Sequence, residues 1–221
     1  QNGLLHLGTT GGIFQFDGIN YRLIALPDSL KNASVSSMLF TENGFYVGLN
    51  EGNLLFGKKT TAFEHLLKLS APISSLIQNQ DSTLWIGSYG AGLHLLSKEK
   101  KSIHFKPDNY EINPYIYKLV FADQTLWAAS DAGVYEINKN ANEFVIRQFT
   151  DLPDYIVTAM VADPENGLWL GFQQGGFGYF DTESTQYTHN QSTAKRIHVL
   201  MFSEDKLWIS QNSEQLLSYD I

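Results

Sequence analysis

The chain has 221 residues, room for one large or two small domains, and its 43% apolar and 17% charged residues exclude a disordered chain. A net charge of −8, from 15 basic and 23 acidic residues, argues against a general nucleic-acid surface and against attraction to anionic membranes. There is no cysteine, so disulfides and thiolate zinc sites are excluded, and no apolar run approaches the ~18 residues that a bilayer span needs.

The elements read as short strands separated by turns. The chain opens inside a strand, Leu4–Leu–His–Leu–Gly8, and a matching phrase returns at Gly44–Phe–Tyr–Val–Gly48. Thr61 to Leu69 is the best helix candidate, and it fits equally well as an outer strand. Next come four strands in sequence: Ile73–Ser–Ser–Leu–Ile77, Leu84–Trp–Ile–Gly87, Leu93–His–Leu–Leu96 and Ile103–His–Phe105. Polar or Gly-rich turns separate them, at the ~8–12 residue spacing of an all-β protein. The second of these strands is echoed at Thr125–Leu–Trp–Ala–Ala–Ser130, Gly167–Leu–Trp–Leu–Gly–Phe172 and Lys206–Leu–Trp–Ile–Ser210. The chain stops after a last strand at Gln215 to Ser218.

Aligned on this phrase, positions 6, 46, 85, 127, 169 and 208 hold His, Tyr and then the chain's four tryptophans. A recurrence every ~40 residues marks a modular array. The first copy lacks its innermost strand and the last its outermost, which predicts 22 strands. Four antiparallel strands per ~40 residues is the unit of a β-propeller blade. The predicted fold is therefore all-β: a β-propeller of about six four-stranded antiparallel blades, or a partial arc of a larger propeller. The repeats lie near 1–33, 34–71, 72–114, 115–154, 155–195 and 196–221, within a single propeller domain or propeller fragment. The ring could close within these residues; the reading favoured is a piece of a longer propeller region. The chain begins at Gln1 rather than Met and shows no signal peptide, which predicts a processed or excised product.

The physical logic places each indole at a seam between neighbouring sheets, because one sheet cannot bury both apolar faces alone. Two places after each aromatic stands a small residue: Gly8, Gly48, Gly87, Ala129, Gly171 and Ser210. It is expected to let the neighbouring strand approach. Neither column contains a charge.

Two stretches resemble the two-component regulator propeller repeat most closely. One is Ile73–Ser–Ser–Leu76 with Leu84–Trp–Ile–Gly–Ser–Tyr–Gly–Ala–Gly–Leu93; the other runs from Asp163–Pro–Glu–Asn–Gly–Leu–Trp–Leu–Gly–Phe172 to Tyr179–Phe–Asp181. Gly8–Thr–Thr–Gly–Gly–Ile–Phe–Gln–Phe–Asp17 matches the second half of that repeat. The resemblance runs through all six copies. It implies the periplasmic sensor region of a membrane-anchored hybrid histidine kinase of Bacteroidetes, responding to an oligosaccharide. Such sensors usually carry more blades, a small β-sandwich, a membrane span and a kinase, none of which is in this chain.

In a propeller, the loops joining second to third strands and those leading into each first strand share one face. Varied loops on a rigid frame are where binding concentrates. On that face the candidate ligand residues are Tyr89, Tyr110, Tyr115, Asp131, Asp154, Tyr155, Gln173, Gln174 and Arg196. Aromatic faces, carboxylates and amides suit a sugar, whose ring stacks and whose hydroxyls take directional hydrogen bonds. Asp163–Pro–Glu–Asn–Gly167 resembles the start of a calcium loop but lacks its spacing, and reads as a turn. His94 and His104 stand on adjacent strands and could pair across them.

No metal motif, nucleophile elbow or phosphate loop is present. The expectation is a non-enzymatic binding module, with no cofactor and no metal. Its partners are a small carbohydrate and a second copy in a homodimer, with no nucleic acid and no membrane contact by this segment. It would lie on the periplasmic or extracellular side of the inner membrane. A protein-interaction propeller and a polysaccharide-cleaving propeller enzyme remain open.

Overall fold

The computed structural model describes residues 3–59, 62–105, 112–140, 143–154, 156–164, 167–191, 195–203, 205–211 and 215–220. The chain divides into two compact units, Gln1–His104 and Phe105–Ile221.

The first unit holds three antiparallel sheets. The first has three strands, β1 (Leu5–Thr9), β2 (Gly12–Phe16) and β3 (Tyr21–Ile24). A single 3-10 turn, Asp28–Leu30, leads out of it. The second sheet has β4 (Val35–Thr41), β5 (Gly44–Leu49), β6 (Asn53–Lys59) and β7 (Ala62–Lys68). The third has β8 (Ile73–Gln78), β9 (Leu84–Ser88), β10 (Gly92–Leu96) and β11 (Ser102–Phe105), which ends at the unit boundary.

The second unit repeats the scheme. Its first sheet has β12 (Ile116–Ala122), β13 (Thr125–Ser130), β14 (Gly133–Asn140) and β15 (Glu143–Phe149). Its second has β16 (Val157–Ala162), β17 (Leu168–Phe172), β18 (Phe177–Phe180) and β19 (Tyr187–Gln191). Its third has β20 (Ile197–Ser203), β21 (Lys206–Gln211) and β22 (Gln215–Asp220). The described residues thus form 22 strands in six sheets of three, four, four, four, four and three. This is the β-propeller fold, and the ambiguous segment after Thr61 is the outer strand β7.

The aromatic column lies at the seams within each unit. Trp127, 2% exposed, leaves β13 and packs with Val157, Leu168 and Phe180 of the next sheet. Trp169 packs with Ile197, Leu200 and Leu207 of the sheet after that. In the first unit Tyr46 joins the cluster around Leu76 and Leu84, and the His6 ring lies against Phe40 at 4.9 Å, tilted by 45°. At the Trp127 and Trp169 seams, burying ~200 Å² of indole contributes about 5 kcal/mol each. The small-residue column does what its spacing implied. A Cβ on Gly8 would stand 2.6 Å from Val35, on Gly48 2.6 Å from Ile73, and on Gly171 2.5 Å from Ile197.

The innermost strands share a further device. In β4, β8, β12, β16 and β20 the pairing slips by one residue near the start, at Ser36, Ser74, Tyr117, Thr158 and His198. A β-bulge re-aims the side chain it carries. Ser36 Oγ uses this to donate to Ile73 O at 2.7 Å, and Thr158 Oγ1 to donate to Ile197 O at 2.6 Å. In those two copies the bulged hydroxyl therefore ties its sheet to the next.

Candidate ligand-binding face

The loops joining second and third strands are anchored the same way in four copies. The first loop residue donates its backbone N–H to the residue before the innermost strand. Asn50 reaches Ser34 O at 2.9 Å, Tyr89 reaches Pro72 O at 2.9 Å, Asp131 reaches Tyr115 O at 3.3 Å and Gln173 reaches Ile156 O at 3.0 Å. This bond leaves the side chain at the sheet's end, beside the lead-in segment of its own blade.

Tyr89 belongs to the first unit and is 42% exposed there. Tyr115, Asp131, Asp154, Gln173, Gln174 and Arg196 all belong to the second unit. Tyr110 and Tyr155 lie outside the described residues. Tyr115 is 40% exposed, and its N–H donates to Asn113 Oδ1 at 2.8 Å. Asp154 spends both carboxylate oxygens on the loops themselves, accepting from Ile156 N–H at 3.1 Å and from Gln174 N–H at 3.0 Å. It fastens the β17–β18 loop to the lead-in segment. Gln174 presents an exposed side chain on that fastened loop.

Asp131, Gln173 and Arg196 share a different property. Asp131 Oδ1, Gln173 Oε1 and Arg196 Nε are buried atoms with no hydrogen-bond partner, and so is Gln211 Nε2. Gln211 closes β21 opposite Ile197, one residue from Arg196, and is 3% exposed. All four stand at the same strand end, spread over three consecutive sheets. Two are acceptors and two are donors. Each such buried group left unpaired costs about 1–3 kcal/mol.

The Arg196 guanidinium lies 5.6 Å from the ring centroid of Tyr117, the bulged residue of β12. The next residue, Lys118, is exposed as a whole, yet surrounding protein still displaces enough water to lower its ammonium pKa. Sequence reasoning missed Tyr117 and Lys118. The available signal was the bulge column, where Ser36, Ser74 and Thr158 give way to Tyr117 and His198.

The remaining sequence candidates have structural roles. Asp163 N–H donates to Gly167 O at 3.0 Å, and its Oδ2 accepts from Trp169 Nε1 at 2.8 Å, so the stretch that looked like a calcium loop turns the chain between β16 and β17. His94 and His104 stack at 4.0 Å, and both Nε2 atoms approach Ala91 O, at 2.8 and 2.9 Å. Among the described residues no three His, Asp or Glu side chains are grouped to hold a metal. No helix there is long and apolar enough to cross a membrane.

No protein-family description matches the chain, and no curated protein matches it. Solved structures do. The extracellular domain of BT4673 from B. thetaiotaomicron, assigned as a hybrid two-component system, superposes with a TM-score of 0.81 at 16% identity, over 99% of this chain and 30% of its own. That of BT3049 from the same organism, assigned likewise, gives a TM-score of 0.82 at 13% identity, over 100% of this chain and 32% of its own. Streptogramin B lyase gives 0.73 at 12% identity, over 100% of this chain and 80% of its own. The chain thus spans about a third of the length of the two sensor-system domains, and what these likenesses establish is its fold, the β-propeller.

Proposed function

We propose that this chain is the ligand-sensing part of a periplasmic two-component sensor, taking a small carbohydrate at the loop face of its second unit. The observation that carries the reading is the set of four buried, unpartnered polar atoms on Asp131, Gln173, Arg196 and Gln211. Two donors and two acceptors at the rim of three sheets match a polyol, whose hydroxyls both give and accept hydrogen bonds. The Tyr117 ring, 5.6 Å from the Arg196 guanidinium, adds an aromatic group beside one of these donors. The similar extracellular domains of BT4673 and BT3049 and the sensor-like repeat add a context of signalling outside the cytoplasm. The fold itself is neutral between binding and catalysis, as the matching lyase illustrates.

The test is titration calorimetry of the 221-residue chain against a panel of neutral and acidic oligosaccharides. A saccharide is expected to bind, and Arg196→Ala and Gln211→Ala to weaken it about tenfold or more while the fold is kept. A folded protein that takes up none of the panel would overturn the reading.

A further inference from the structure

We propose that the first unit carries a second binding site, for a small ring-bearing anion, in the cleft between its second and third sheets. This cleft lies at the strand end where the β4–β5, β6–β7, β8–β9 and β10–β11 hairpins turn. That is the opposite strand end from the one used by the candidate residues of the second unit, so the two proposals stand or fall separately.

The cleft has a volume of about 420 Å³, within the ~300–1,000 Å³ range of small-molecule sites. Its floor is aromatic: the rings of Tyr46 and Phe56 lie 4.8 Å apart at 46°. Tyr46 occupies the column where later copies carry tryptophan. The exchange replaces an indole N–H with a phenol, which can both accept and donate. Gln78 Nε2 donates to the Tyr46 hydroxyl at 3.3 Å and to Ser82 O at 3.2 Å. The phenol hydrogen therefore remains available to a ligand, and burial raises the Tyr46 pKa, which keeps that hydrogen in place.

The rim is basic. Lys58, Lys98 and Lys100 line it together with one acid, Glu64. In a chain of net charge −8 this is a local reversal of sign, and it favours an anion. Lys100 pairs with Glu64 across the rim. Both side chains stay more than half exposed, so the pair is a weak latch that an incoming anion can replace. The Lys98–Lys100 turn is held by Ser97, whose carbonyl accepts from Lys100 N–H at 2.9 Å and whose hydroxyl accepts from Lys101 N–H at 3.2 Å. Lys100 sits there at φ +62°, a conformation that suits glycine better. Ring stacking on the floor and two or three ammonium groups above it describe a ligand with a six-membered ring and a carboxylate or sulfate.

The experiment is calorimetry of the whole chain with D-glucuronate, D-glucose 6-sulfate and benzoate, with D-glucose as the uncharged control. At least one anion is expected to bind tenfold or more tightly than glucose, and which one binds separates a carboxylate from a sulfate and a sugar from a planar ring. Lys58→Ala and Lys100→Gly should each weaken it about tenfold, and Glu64→Gln should tighten it. Lys100→Gly relaxes the backbone, so its melting temperature should not fall, which separates a ligand contact from a structural one. The proposal is overturned if no anion binds, if glucose binds as tightly, or if the lysine variants bind as the parent does. It is also overturned if Arg196→Ala abolishes the binding and Lys100→Gly keeps it.

Discussion

Gly171→Ala tests the seam logic most directly. The added Cβ would lie 2.5 Å from Ile197 Cγ2 and 2.7 Å from Ile197 Cβ. Carbon atoms in contact prefer about 3.5–4.0 Å, so strand β20 must retreat by roughly 1 Å or Ile197 must leave its rotamer. Overpacking of this kind costs about 1–3 kcal/mol. For a chain of this size that is a fall in melting temperature of roughly 2–12 °C. Gly11→Ala is the matched control, since its Cβ meets nothing closer than 3.7 Å and its backbone is not left-handed; it should change stability by less than about 0.5 kcal/mol. The decisive assay is a double-mutant cycle by urea unfolding. Ile197→Ala removes the nearest obstructing atom, Cγ2, though not Cβ, and frees the strand to shift, so combined with Gly171→Ala it should destabilise by less than the sum of the two singles, with a coupling of at least about 0.5 kcal/mol. Additive singles, or a Gly171→Ala variant as stable as Gly11→Ala, would mean that the sheets do not approach at this column, and the seam argument would fail.

Three further outcomes follow from particular contacts. Trp169 Nε1 donates to Asp163, whereas Trp127 Nε1 has no partner, so Trp169→Phe should cost about 1 kcal/mol more than Trp127→Phe in thermal unfolding. Burial, assisted by the neighbouring His104 and opposed by the bond to Ala91, lowers the His94 pKa to about 4. The unfolded chain then binds the extra proton first, so stability should fall as pH drops from about 6.5 towards 4. After allowance for screening the loss is up to about 2 kcal/mol, and it should shrink in His94→Gln when denaturant midpoints are compared at both ends of that window. Asp154→Ala removes the acceptor of two backbone N–H groups and should cost about 1–2 kcal/mol, with faster amide exchange at Ile156 and Gln174 read by hydrogen–deuterium mass spectrometry.

The architecture was legible because it is written in periodic terms. The recurrence of Trp85, Trp127, Trp169 and Trp208 every ~40 residues, with strand-length phrases between turns, was enough to anticipate 22 strands and the all-β class. Even the roles of Gly48 and Gly171 could be read, since a small residue at constant offset from a seam aromatic has few other uses. The site was only partly legible. Asp131, Gln173 and Arg196 could be nominated as loop residues, but so could Asp154, and nothing in the chain distinguished a carboxylate left unpaired from one bonded to two backbone amides.

That distinction depends on which donors the fold brings within 3 Å, a matter of loop geometry rather than residue type. Tyr117 was hidden for a related reason. A bulge changes which way one side chain points without altering the composition or period around it. Lys98 and Lys100 stand in a short charged turn whose local pattern does not mark a site, and only the packing of the second sheet against the third gave them a cleft to face. Local pattern thus determined which segments pair and which residues lie between sheets, because burial repeats with the repeat. Which polar atoms end up without partners was decided in three dimensions, because hydrogen bonding is short-ranged and the groups that meet are 20 to 80 residues apart in the chain.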